Sequence, residues 1–207
     1  MKQIVIIFSL MIVCSCIKLK TEYPEIKYYT LTQELKPPIL TEQLKGTLQI
    51  KDFTISDENE KEYITVRLSN SKVHQNYYSR WSGDFSSLFS DFLFKRYNNS
   101  QVFSGGVVKS SSIAVPDYYL EGHIVEMFAY NSELDRSDSN IVFLSLKVNL
   151  FKRIGIKIER EPILSRTYNS KITRVSNSVS NIADSYSKCA ADIADIMVRD
   201  FKLILEK

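Results

Sequence analysis

Histidine is scarce in this 207-residue sequence, occurring only as His74 and His123. The commonest general base and a principal zinc ligand are therefore almost missing. Both histidines fall in strand-like stretches, where a solvated or hydrogen-bonded ring is the ordinary role. No grouping of His, Cys and Asp has metal-ligand spacing, and no serine or cysteine sits in a nucleophile-elbow context. Neither GxGxxG nor GxxxxGK[ST] occurs, so the usual phosphate-cradling loops are lacking. Gly105-Gly106 alone is a turn signal. These gaps argue against an enzyme, and no catalytic residue, metal or cofactor is expected.

Cysteine is also rare, with three positions. Cys14 and Cys16 end an apolar leader, which leaves Cys189 alone and allows the exported chain no intramolecular disulfide. Cys189 lies on the apolar stripe of a helix and reads as a small core hydrophobe in preference to a reactive thiolate. Six glycines and five prolines are few, as in a domain built of regular elements. No excess of one charge is present: 27 Lys and Arg face 24 Asp and Glu, for a net +3. A concentrated basic face is absent, which excludes nucleic acid as a partner. The acidic run Asp57-Glu58-Asn59-Glu60 reads as a solvated loop. Hydrophobic residues reach 44% and aromatics 12%, enough for a packed core.

The first sixteen residues, MKQIVIIFSLMIVCSC, carry the clearest signal. Lys2 precedes an apolar run that ends at Val13-Cys14-Ser15-Cys16, as in a secretory signal peptide. The run is shorter than the ~20 apolar residues that span a bilayer. Ser15 directly before Cys16, with Val13 two residues further back, resembles the bacterial lipobox, in which the cysteine sulfur is acylated and becomes the mature N-terminus. Cys14 fits poorly, because branched Val13 would occupy the cleavage position. The expected organisation is a signal peptide over 1–15, a lipidated tether over 16–27 and one domain over 28–207.

Tyr28-Tyr29-Thr30-Leu31 is a short β-prone run. Pro37-Pro38 marks a linker within Gln33–Gln43. Leu48–Phe53 alternates as a half-buried strand. Ile64, Val66 and Leu68 alternate likewise, Ser69-Asn70-Ser71 turns, and Lys72–Tyr78 returns. These three strands are expected to form a meander. Phe85, Leu88, Phe89, Phe92 and Leu93 recur at helical spacing up to Asn98-Asn99, with Ser82 as the expected N-cap and Asp84 near the positive helix end. Gln101–Val108 suggests a short strand. Tyr118, Leu120, Ile124, Phe128 and Tyr130 are expected on one face of a long strand, against Glu121 and His123. Ser132–Ser139 is a polar loop, and Val142, Leu144, Leu146, Val148 and Leu150 give the cleanest alternation. Together they predict a long antiparallel hairpin. A further strand spans about Ile163–Val175. A final helix over Ser178–Ile204 bears Ile182, Tyr186, Cys189, Ile193, Ile196 and Met197 on one stripe, with Val179, Ala183, Ala190 and Ala194 at close approaches. The expected class is α+β, an antiparallel sheet with two amphipathic helices packed on one face.

Binding is the function class left. Tyr77-Tyr78-Ser79-Arg80-Trp81 is dense in the residue types that anchor interfaces. Trp81 either packs beneath the helix it precedes or joins Tyr77, Tyr78 and Arg80 in a partner contact.

The ordered set of features resembles the ABC-type transport auxiliary lipoproteins, the PqiC-like lipoproteins that accompany MCE-domain lipid transport systems. The set comprises Cys16, the Tyr28–Leu31 strand, the Leu48–Phe53 strand, Arg80-Trp81 at the mouth of an amphipathic helix, Tyr119-Leu120-Glu121, the Val142–Leu150 strand and Ala190-Ala191-Asp192-Ile193-Ala194. The resemblance spans nearly the whole mature chain. It implies a non-catalytic, palmitate-bearing lipoprotein at the periplasmic side of the outer membrane. Its implied partners are the membrane, through Cys16, and an MCE-domain protein of an ABC-type transporter; self-association into a homo-oligomer is a further implication. Ile17, in place of the Asp that favours inner-membrane retention, agrees with outer-membrane delivery. The competing class is a structural accessory lipoprotein of another outer-membrane assembly, such as lipopolysaccharide or secretion machinery.

Overall fold

The computed structural model describes residues 24–33, 42–56, 62–68, 72–132, 140–155, 157–158 and 161–206. Among them the chain forms β1 (Lys27–Tyr29), β2 (Leu48–Ile50), β3 (Thr54–Ile55), β4 (Tyr63–Leu68), β5 (Val73–Trp81), α1 (Phe85–Asn99), β6 (Val107–Lys109), β7 (Tyr118–Asn131), β8 (Ile141–Ile154), β9 (Lys157–Ile158), β10 (Leu164–Thr173) and α2 (Val179–Leu205). The expected signal peptide with Cys14, the acylation candidate Cys16, most of the expected tether, Pro37-Pro38, the Asp57–Glu60 run, the Ser69–Ser71 turn and most of the Ser132–Ser139 loop lie outside the described residues.

The strict alternation of β8 explains the centre of the sheet. Val142, Leu144, Leu146, Val148 and Leu150 are all fully buried. Each such side chain contributes roughly 1.5–3 kcal/mol when removed from water. β7 and β8 make the expected antiparallel hairpin, from Tyr118 opposite Lys152 to Tyr130 opposite Ile141. β10 lies on the other side of β8 in an unshifted antiparallel register, from Leu164 opposite Leu150 to Thr173 opposite Ile141.

The expected meander does not form. β4 and β5 are an antiparallel hairpin, but β2 pairs in parallel with both β6 and β7. One edge of β7 is long enough to take three short parallel neighbours in turn: β2 at Leu48–Ile50, β3 at Thr54–Ile55 and β4 at Val66–Leu68. Parallel neighbours need long connections, and the parallel pair β2 and β6 is joined through β3, β4, β5 and α1. The sheet is thus mixed, with antiparallel pairing in its longest ladders, and the α+β architecture holds. The strand expected within Gln101–Val108 is shifted to Val107–Lys109, while Phe103 makes only an isolated bridge to Leu44.

Both helices cover the same face. α1 begins at Asp84, whose side chain makes no capping hydrogen bond; Ser82, the expected cap, lies two residues too early. Phe85, Phe89, Phe92 and Leu93 are buried, as their spacing predicts. α2 starts at Ser178, whose hydroxyl accepts a hydrogen bond from the Asn181 N–H at 3.3 Å. Ala183, Cys189, Ala190 and Ala194 are all buried. Small side chains there let α2 lie close over β8 and β10. Arg96 of α1, 4% exposed, donates from Nε and Nη2 to Asp195 of α2 at 2.9 and 2.5 Å. The Tyr97 hydroxyl donates to the Ala194 carbonyl at 3.1 Å, so the helices are joined by polar as well as apolar contacts.

Candidate docking surface

The Tyr77–Trp81 stretch lies at the end of β5, between β4 and the edge strand β1. Its geometry follows from an irregularity in register. Tyr63 of β4 faces Arg80, but the next residue, Ile64, faces Asn76. Tyr77, Tyr78 and Ser79 therefore have no counterpart on β4. An odd number of inserted residues reverses which face of the sheet each following side chain meets. Past the irregularity Trp81 turns into the core, while Arg80 turns to the face that carries no helix. The turn is fixed by backbone bonds, with Trp81 N–H donating to Glu62 O at 3.0 Å and Ser82 N–H to Tyr29 O at 2.8 Å. β1 completes the edge in parallel, with Tyr28 level with Arg80 and Tyr29 level with Trp81.

The sequence left two roles open for Trp81, and its environment is decisive. Trp81 is 4% exposed. Its ring meets Phe85 at 5.0 Å and Tyr186 at 5.6 Å, and those two rings meet at 5.4 Å. Edge-to-face aromatic contacts of this kind add to the burial energy. Trp81 therefore belongs to the core and leaves the candidate contact set.

Tyr77 and Tyr78 do the opposite, at 62% and 54% exposure. Tyr77 packs its ring against Tyr63 at 5.5 Å. Arg80 lies over the Tyr63 ring, 4.8 Å from its centroid, and pairs with Glu62. The Glu62 hydrogen bond holds the Arg80 guanidinium above its ordinary pKa against the opposing effect of desolvation, with the charge of Glu62 and then the Tyr63 and Tyr28 hydroxyls adding smaller contributions. Tyr28, exposed beside Arg80, extends the same patch. Of the eleven large apolar side chains exposed among the described residues, Ile26, Tyr28, Val73, Tyr77 and Tyr78 cluster on or beside β1 and β5, and these include all three of the tyrosines.

A second irregularity places another aromatic on this open face. Ile124 of β7 faces Leu146, whereas Glu126 faces Ser145, so Val125 is the extra residue of a bulge. The expected single face from Tyr118 to Tyr130 is therefore broken. Leu120 and Ile124 point inward, and beyond the bulge Ala129 and partly buried Met127 do so. Phe128 faces outward, packed against Phe143 at 5.2 Å and beneath Arg67 at 4.5 Å. Arg67 pairs with Glu126 at 3.0 Å. Near the bulge, where β3 gives way to β4, a cleft of about 290 Å³ is bordered by Ile64, Arg67, Trp81, Met127, Phe128 and Tyr186.

The remaining titratable groups are placed structurally. His123 Nδ1 is 2.8 Å from Thr54 Oγ1 and its Nε2 3.4 Å from Ser56 Oγ, while His74 is exposed on β5. Cys189 is fully buried, and burial pushes its thiol up to about 11. Sequence reasoning missed Arg174, which is 1% exposed. It donates to the Tyr130 and Ser176 carbonyls at 2.9 and 3.0 Å and to Asn131 Oδ1, tying the end of β7 to the turn before α2. A lone arginine at a strand end carries no pattern that signals burial. Among the described residues no helix is long and apolar enough to cross a membrane.

No family model matches the sequence, and no curated protein matches it. Solved structures do. A Xanthomonas campestris protein assigned to DUF330 superposes with a TM-score of 0.69 at 14% identity, over 83% of this chain and 92% of that one. The fold is shared. An uncharacterized protein follows at TM-score 0.60 and 11% identity, over 86% of this chain and 99% of its own. A hypothetical protein of Chlamydia trachomatis gives 0.52 at 11% identity, over 78% of this chain and 98% of that one. At such identities the likeness establishes the fold.

Proposed function

We propose that this chain is an exported, lipid-anchored docking protein without catalytic activity, held at the outer membrane by acyl groups on Cys16. Its role would be that of an auxiliary component of an MCE/ABC-type intermembrane lipid transport system. The body would stand on the periplasmic side and receive the end of the MCE-domain assembly, while other subunits hydrolyse ATP.

The observation that carries this reading is the order of sequence features from Cys16 to the Ala190–Ala194 helix, which resembles that of the auxiliary lipoproteins along nearly the whole mature chain. The fold is in keeping with it from Tyr28 onward, with Trp81 packed under α1 and the alanine-rich stripe of α2 on the sheet. Two buried acyl chains give stable anchoring where one gives only marginal binding. Co-purification from membranes with an MCE-domain protein encoded beside it is the expected result. Co-purification with a β-barrel in its place, in a genome neighbourhood lacking MCE and ABC-transporter genes, would overturn the reading.

A further inference from the structure

The tyrosines of the open β1–β5 edge face solvent at a place where an apolar cost has no structural return. Tyr28, Tyr77 and Tyr78 are 63%, 62% and 54% exposed. The inserted residues of β5 put Tyr77 and Tyr78 there, in a segment that a regular register would have kept paired with β4, and β1 sets Tyr28 level with Arg80 beside them. Arg80, at the centre of the patch, is neutralised by its pairing with Glu62. What remains is an electrically balanced surface of phenolic rings, apolar in body and polar at the tip. Such rings settle at the headgroup level of a bilayer.

The chain's own anchor points to the occupant. Cys16 is eight residues before Pro24, the first described residue, and twelve before Tyr28. Eight residues reach at most about 28 Å fully extended. An acylated Cys16 thus keeps Pro24, three residues before β1, no more than about 28 Å from the lipid surface. At so short a tether the effective concentration of membrane at this edge is high, and contacts too weak to bind unaided become occupied.

We infer that the Tyr28, Tyr77 and Tyr78 face is the membrane-apposed side of the body, seated in the headgroup region of the bilayer that holds Cys16. This inference rests on the lipid-anchor reading and assigns that patch to lipid, so a protein partner would be received elsewhere. It also fixes an orientation. β10 and its Lys171 lie at the opposite edge of the sheet, beyond β4, β7 and β8.

The test uses the full acylated chain in vesicles of mixed phosphatidylethanolamine and phosphatidylglycerol containing a headgroup-nitroxide lipid. A fluorophore is attached at Tyr78→Cys, at Tyr28→Cys or at Lys171→Cys; buried Cys189 stays unlabelled in the folded protein. Strong quenching at both tyrosine positions and none at Lys171→Cys is expected. Adding Tyr77→Ser should reduce quenching at Tyr78→Cys severalfold. Mass spectrometry of the same sample reads the acyl groups. An unacylated Cys16 would overturn the anchor and the inference together. An acylated chain with equal quenching at all three positions, or none at the tyrosines, would overturn the inference alone. A Tyr78→Cys probe buried by protein association in detergent without lipid would assign the face to a second copy and likewise overturn it.

Discussion

The two ends of the sheet obey different rules. At the β8–β10 end, ten consecutive pairs run without a shift, α2 covers the inner face, and every even-numbered residue of β8 from Val142 to Leu150 is buried. At the β4–β5–β1 end the register jumps, and neighbours in sequence part company: Trp81 goes to the core while Tyr77 and Tyr78 go to water. The regular end builds the body, whereas the irregular end presents side chains to something outside it. β-bulges serve this purpose generally, by re-aiming side chains at sheet edges.

The contrast can be broken most severely at Trp81. Trp81→Ala should cost about 3–5 kcal/mol in urea or thermal unfolding, the range for a large aromatic removed from a packed core. A near-native midpoint would return Trp81 to the surface set. Next in size is the helix pair. Asp195→Ala leaves the Arg96 guanidinium buried without its carboxylate, and should cost less than the roughly 3–5 kcal/mol of a fully buried pair, because Asp195 is 29% exposed. Gly122→Ala follows. A Cβ there would lie 2.1 Å from the Phe53 ring, which crosses the strand at that point. Overpacking of this kind costs about 1–3 kcal/mol, and unchanged stability would mean that Phe53 can move aside freely.

Alkaline titration probes the regular end through Cys189. Its thiol pKa rises from 9.0 to about 11 on folding, chiefly through burial. The folded state then holds the proton more tightly than the unfolded one. That stability is fully present below about pH 9 and is lost as the pH climbs through 11, by up to about 3 kcal/mol. Buried Tyr97 and Tyr186 are raised as well and act in the same direction. Cys189→Ala should flatten the cysteine share of the decline, and an identical pH profile would contradict it. The smallest effects belong to the irregular end. Tyr77→Ala and Tyr78→Ala should each stay within about 0.5 kcal/mol of the parent, as exposed positions do.

Legibility in the sequence follows the same division. Both long helices and strand β8 could be read because a face kept one periodicity throughout, and with them the β7–β8 hairpin and the α+β class. The meander could not: pattern shows which face of a strand is buried, but not which strand lies beside it, and β7 was long enough to recruit three short neighbours. Phe128 and Tyr130 were placed on the wrong face because one extra residue, Val125, inverts the alternation without leaving a Gly or Pro to mark it. Trp81 was left with two roles for a related reason, since inserted residues separate it from the pattern of the preceding strand. Asp84 displaced Ser82 as cap because the helix starts where Phe85 enters the core, and capping chemistry follows that packing. The Arg96–Asp195 pair and buried Arg174 join segments distant in sequence, and neither has a local signature.

The most direct test is acylation of Cys16 in cells fed a clickable palmitate analogue. The parent chain should carry the label in the membrane fraction, and Cys16→Ser should lose the label and leave that fraction. A parent chain that reaches the periplasm unlabelled would contradict a lipid-anchored docking body.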